Sequence, residues 1–154
     1  MTTKRTGIVT LFIHLVVVAM FLQAAYAAEN DNESIGDDIV VVVSRLNPVR
    51  DLTRTQVEDI FLGRTQQFPN GQRAVPIDQA ERSTIRERFN EEVLARTSAQ
   101  VRSHWSRILF TGRGQPPRSV TSSEEVLRVL ATQVQGIGYI ERRLVDDSVV
   151  VVFE

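Results

Sequence analysis

The chain has no cysteine. Disulfides, thiol redox chemistry and cysteine-based metal sites are therefore excluded. Histidine occurs only at His14 and His104, so a histidine-rich metal site is excluded as well. Lys4 is the sole lysine, and every cation after Arg5 is an arginine. The formal net charge is −1. That balance argues against bulk nucleic-acid binding. It leaves room for a local arginine site for a small anion. After the N-terminal stretch, no apolar run reaches the ~20 residues that cross a bilayer.

What is present begins with an export signal. Lys4 and Arg5 form a short basic start, and residues 7–22 are almost wholly apolar. Ala25-Tyr26-Ala27 is an A-x-A cleavage site. Residues 1–27 are read as a secretory signal peptide that places the protein in the periplasm. Residues 28–38 are polar and acidic, and are read as a disordered leader. Residues 39–154 are expected to form one domain, large enough for a hydrophobic core.

Within that domain, residues 39–43 are a continuous β-branched run, which suits a strand covered on both faces. Residues 52–63 predict a short helix. Thr53 and Gln56 make a capping box there, and Gly63 is the stop. Phe68-Pro69-Asn70-Gly71 predicts a turn, and residues 73–77 a second strand. Ser83 is placed as the cap of a helix whose buried stripe is Ile85, Phe89 and Val93. Thr97 with Gln100 opens another helix, with Val101, Trp105, Ile108 and Leu109 facing inward. His104, one position off that face, is expected to be exposed. Residues 111–119 are read as a rigid crossover loop. Ser122 with Glu125 opens a helix with Val126, Val129, Leu130 and Val134 on its apolar face. Residues 137–140 and 148–153 complete the set as strands. The order β-α-β-α-α-α-β-β predicts an α/β fold, a mixed sheet covered by helices.

Ligands in such folds sit beyond the C-terminal ends of strands, here the loops 44–47 and 78–83. The best chemical candidate is Arg82-Ser83-Thr84-Ile85-Arg86. A helix N-terminus offers free N–H groups and a partial positive charge. Arg82 and Arg86 have the fork geometry that holds an oxyanion. The same five residues are also an ordinary helix cap with two arginines on a solvated face. Ser44, Ser83 and Ser103 form no nucleophile elbow. The carboxylate pairs 37/38, 91/92 and 124/125 are adjacent, and helical neighbours do not face one another. No catalytic residue, metal ligand or cofactor motif is found, and a non-enzymatic role is expected.

Leu52-Thr53, Gln56, Ile60-Phe61-Leu62-Gly63, the following F-P-N-G, Ser83 before a helix, and Gly136-Ile137-Gly138-Tyr139-Ile140 resemble the phosphate-binding subunits of ABC importers, which are type 2 periplasmic binding proteins. The resemblance implies one lobe of that two-lobed fold. It implies phosphate or a similar small oxyanion as ligand, and a membrane transporter or sensor as partner. The family pattern before this helix is an Arg, then Asp-Gly, then Ser-Gly-Thr. Here those positions hold Gln79, Glu81-Arg82 and Ser83-Thr84-Ile85, so only Ser83 carries over as a phosphate ligand. The candidate ligand set is Ser83, Thr84, Arg82 and Arg86, with Ser44 and Asn47 on the facing loop. The alternative is an interaction module that kept the fold and lost the ligand. The reading of residues 1–27 has a direct test. Intact-mass measurement of exported protein should show cleavage after Ala27, and a mass that retains residues 1–27 would contradict it.

Overall fold

Residues 39–44 run Ile-Val-Val-Val-Val-Ser, and all six are buried. Side chains alternate across a strand, so this run must feed two apolar layers. Ile39, Val41 and Val43 enter one, and Val40 and Val42 enter the other. The structure, a computed structural model, describes residues Asp38–Glu154. Residues 1–27, read as a signal peptide, and all but the last of residues 28–38, read as a leader, lie outside the described residues.

Five strands form one sheet: β1 (Ile39–Ser44), β2 (Val75–Gln79), β3 (Arg118–Val120), β4 (Gly136–Glu141) and β5 (Val149–Phe153), in the order β3-β2-β4-β1-β5. β2 runs parallel to β3 and β4, and β1 runs antiparallel to β4 and β5. Four helices cover it: α1 (Arg54–Phe61), α2 (Thr84–Glu92), α3 (Ser98–Phe110) and α4 (Ser123–Thr132). No helix among the described residues is long and apolar enough to cross a membrane. The α/β class and the mixed sheet covered by helices match the sequence reading.

One face of the sheet carries α1, α2 and α3. Phe61, Phe89, Trp105 and Tyr139 are buried there. The rings of Phe89 and Tyr139 stack at 3.8 Å with an interplanar angle of 2°. Phe61 meets both edge-on, at 4.8 and 5.8 Å. Each such pair adds roughly 0.5–1.5 kcal/mol beyond area burial. The other face carries α4, whose Val126 and Leu130 pack with Val40, Val42, Ile77 and Ile140. The glycines of G-I-G-Y-I follow from that contact. A Cβ on Gly138 would sit 2.5 Å from Val126 Cγ1, and one on Gly136 would sit 2.6 Å from Leu130 Cδ2.

Local signals acted as expected at α1 and α3. Thr53 with Gln56 and Thr97 with Gln100 each close a full capping box. Gly63 follows α1 at φ +68. Ser122 caps α4 through the Glu125 amide, but the Glu125 carboxylate turns to the Thr121 amide and hydroxyl.

Several expectations are corrected. β2 is shifted toward the C-terminus relative to residues 73–77, because pairing with β3 continues through Gln79. Residues 118–119, read as loop, belong to β3, a three-residue edge strand that Pro116 and Pro117 hide in the sequence. Leu109 is 51% exposed, whereas Val101, Trp105 and Ile108 face the core as expected. α4 ends at Thr132, so Val134 lies beyond its apolar face. His104 is half-buried rather than exposed, with its Nε2 2.8 Å from the Leu62 carbonyl at the end of α1. Truncation at the centre of the aromatic cluster should be costly. Phe89→Ala should lose about 3–5 kcal/mol in urea denaturation, and a loss under about 0.5 kcal/mol, as at surface positions, would contradict this packing.

Candidate functional site

β2, β4 and α2 converge where β2 ends. Ile77 and Gln79 point into the core, and both are fully buried. Asp78, between them, lies beneath the first turn of α2. Its Oδ2 is 2.8 Å from Nη2 of Arg86, and the two side chains are only 13% and 14% exposed. Its Oδ1 accepts from the Tyr139 hydroxyl at 2.5 Å and from the Gln79 amide at 2.8 Å. The Asp78 carboxylate thus has a charged partner and two neutral donors.

The network continues inward. The Gln79 amide also reaches the Tyr139 oxygen at 3.1 Å. Gln79 Nε2 donates to Ser123 Oγ at 2.9 Å and to the Tyr139 carbonyl at 3.0 Å. Ser123 donates in turn to Glu141 Oε2 at 2.5 Å. Gln79 therefore ties β2 to β4 and to the start of α4.

Burial pushes the Asp78 carboxyl above its ordinary range, against the opposing pull of Arg86, Tyr139 and the Gln79 amide. Burial, and then the neighbouring Asp78 charge, push the Tyr139 phenol well above its ordinary value. Tyr139 is therefore held as the hydrogen-bond donor to Asp78.

Ser83 occupies the N-cap position of α2, but its hydroxyl makes no cap bond. It donates instead to the Ala80 carbonyl at 2.8 Å. The hydroxyls of Thr53, Thr97 and Ser122 all cap their helices. At α2, the Ser83 side chain makes no hydrogen bond to the first-turn amides. Arg82 is exposed and forms no ion pair among the described residues, while Glu81 faces Arg102 at 3.5 Å. Ser83, Thr84, Arg82 and Arg86 thus share the α2 N-terminus, and Arg86 is already paired.

Ser44 and Asn47 are not part of this site. β1 is antiparallel to β4, and β4 is parallel to β2. The loop leaving β1 therefore lies at the opposite end of the sheet from Gln79, on the order of 15 Å away at ~3.3 Å per residue. There Ser44 accepts from the Leu46 amide, and Asn47 links the Val49 amide to the Val134 carbonyl. Both are buried and serve the turn. The rule about C-terminal strand ends gathers loops at one edge only when strands run parallel. Sequence reasoning also missed Asp78, Gln79 and Tyr139 as a polar cluster. An acidic residue directly after an apolar strand position was the available signal.

No protein-family model matches the sequence, and no curated protein matches it. Solved structures do match. A putative phosphate ABC transporter substrate-binding protein with bound phosphate, from Clostridium perfringens, is 25% identical with a TM-score of 0.59; the match covers 75% of this chain and 44% of that one. An ABC-type phosphate transport receptor from Vibrio cholerae is 21% identical, covering 75% and 45%, with a TM-score of 0.59. PstS from Borrelia burgdorferi is 14% identical, covering 76% and 47%, also at 0.59. The chain spans less than half the length of each. It has the fold of a single lobe of phosphate ABC transporter substrate-binding proteins.

The Tyr139 bond to Asp78 can be tested alone. In Tyr139→Phe the carboxylate loses a donor to its charged form, so the Asp78 value should rise further. Carbon-detected NMR of the Asp78 carboxyl during a pH titration would show it, and an unchanged or lowered midpoint would contradict the assigned geometry.

Proposed function

We propose that this chain is an exported, non-enzymatic solute-binding-protein-like module. It holds phosphate or a similar oxyanion weakly at the N-terminus of α2, in ABC-type phosphate uptake or sensing. The observation that carries this reading is the open first turn of α2, where the Ser83 hydroxyl leaves the Thr84 and Ile85 amides uncovered. Backbone amides at a helix start are an anion-binding arrangement. The exposed Arg82 adds a cation at the same place. The bound phosphate of the Clostridium perfringens protein supports the choice of ligand.

Two features keep the affinity low. A single lobe leaves the ligand partly in water, where salt screens each contact. Asp78 places a negative charge beside Arg86. Affinity should fall in the high-micromolar to millimolar range, about −4 to −6 kcal/mol.

A second reading has an observation of its own. Arg86, Tyr139 and the Gln79 amide are already satisfied by Asp78. That self-satisfied end of the sheet suits an interaction module that lost its ligand and docks on a membrane sensor or transporter. Phosphate titration followed by amide NMR separates the two. The weak-site reading expects shifts clustered at Ser83, Thr84 and Ile85 that are lost in Ser83→Ala/Arg82→Ala. Shifts scattered over the surface, or unchanged in the double variant, would leave the docking module as the function.

A further inference from the structure

Asp78 and Arg86 form an ion pair in which both side chains are mostly shielded from water, more so than the pairs that Arg64, Arg102 and Arg142 make among the described residues. Charges in such a setting interact strongly and are costly to leave alone. Arg86 is the third residue of α2, and so stands in the same turn as the open Thr84 and Ile85 amides. The carboxylate that satisfies it comes from β2, not from α2 itself. Removing the Asp78 charge would leave a shielded guanidinium beside free helix amides, which is the donor set that recruits an external oxyanion.

We propose that Asp78 is the residue that decides whether this site takes an anion. Its carboxylate acts as an internal ligand for Arg86 and excludes a second negative charge. Neutralising it converts the Arg86 end of α2 into an oxyanion site. This deepens, and rests on, the reading of the α2 N-terminus as the ligand-facing end. The groups facing Asp78 are Arg86 on α2, Tyr139 on β4 and the neighbouring Gln79 amide. Glu141 is reached only through Gln79 and Ser123. Asp78 is therefore the one carboxylate in direct contact with Arg86 among the described residues.

The experiment measures sulfate affinity by NMR, and melting temperature against sulfate concentration, for the wild type, Asp78→Asn and Asp78→Asn/Arg86→Gln. Sulfate keeps its charge across the working pH range, unlike phosphate. Asp78→Asn should bind sulfate about tenfold tighter than the wild type, or more. Its melting temperature should rise with sulfate by mass action. The double variant should lose that gain. No gain in Asp78→Asn, or a gain that persists without Arg86, overturns the proposal. If Asp78→Asn does not fold, the wild type itself decides. Lowering pH into the range where Asp78 protonates should strengthen sulfate binding in the wild type and not in Arg86→Gln, and equal pH dependence of the two overturns the proposal. The outcomes also separate this inference from the weak-site reading. Wild-type binding through Ser83 with no change in Asp78→Asn removes this proposal alone. Binding that appears only in Asp78→Asn and depends on Arg86 sustains it and removes the weak wild-type site.

Discussion

Tyr139 sits at the point where the apolar core meets the polar end of the sheet. Its ring is stacked on Phe89 and edged by Phe61, so three elements fix its position. Its hydroxyl has one direction left to point, toward Asp78. The buried phenol must find a partner there, because an unpaired polar group in that setting costs about 1–3 kcal/mol. The aromatic stack therefore places Asp78 as much as β2 does. Asp78 in turn places Arg86. The geometry at the start of α2 is a consequence of how three rings pack.

Gln79 extends the same logic to the opposite layer. It is fully buried and makes its side-chain bonds to Ser123 and to the Tyr139 backbone. An arginine at this position, as the family pattern has it, would bring a charge that those two neutral acceptors could not balance. With glutamine, the strand end becomes a structural joint between β2, β4 and α4. The cation that remains near α2 comes from within the helix, at Arg86, and it answers to an acid of the chain's own.

The parts legible in the sequence were those set by local chemistry. Thr53 with Gln56 and Thr97 with Gln100 announce their helices because a capping box needs only four residues. The run at residues 39–43 announces a doubly covered strand because alternation fails there. The candidate site was harder to read. Ser83 looks like any cap, and its hydroxyl instead joins its amide in a local turn onto the Ala80 carbonyl. The grouping of Ser44 and Asn47 with Ser83 failed on strand direction, which hydrophobic pattern does not encode. The pairing of Asp78, Arg86 and Tyr139 spans about sixty positions of chain. No short-range signal reports such a contact.

Strand order has a consequence for when this protein can acquire its structure. β1 is an interior, fully buried apolar ribbon, and both of its neighbours, β4 and β5, come from the C-terminal stretch that begins at Gly136. The helices between can form early, from local sequence signals, but β1 has neither of its sheet neighbours until that stretch exists. Ring closure over most of the domain is a slow, entropy-limited event. A nascent chain halted before Gly136 would carry a bare valine ribbon, a sticky species by the same physics that later buries it. The fold is in this sense sealed from its last strands backward.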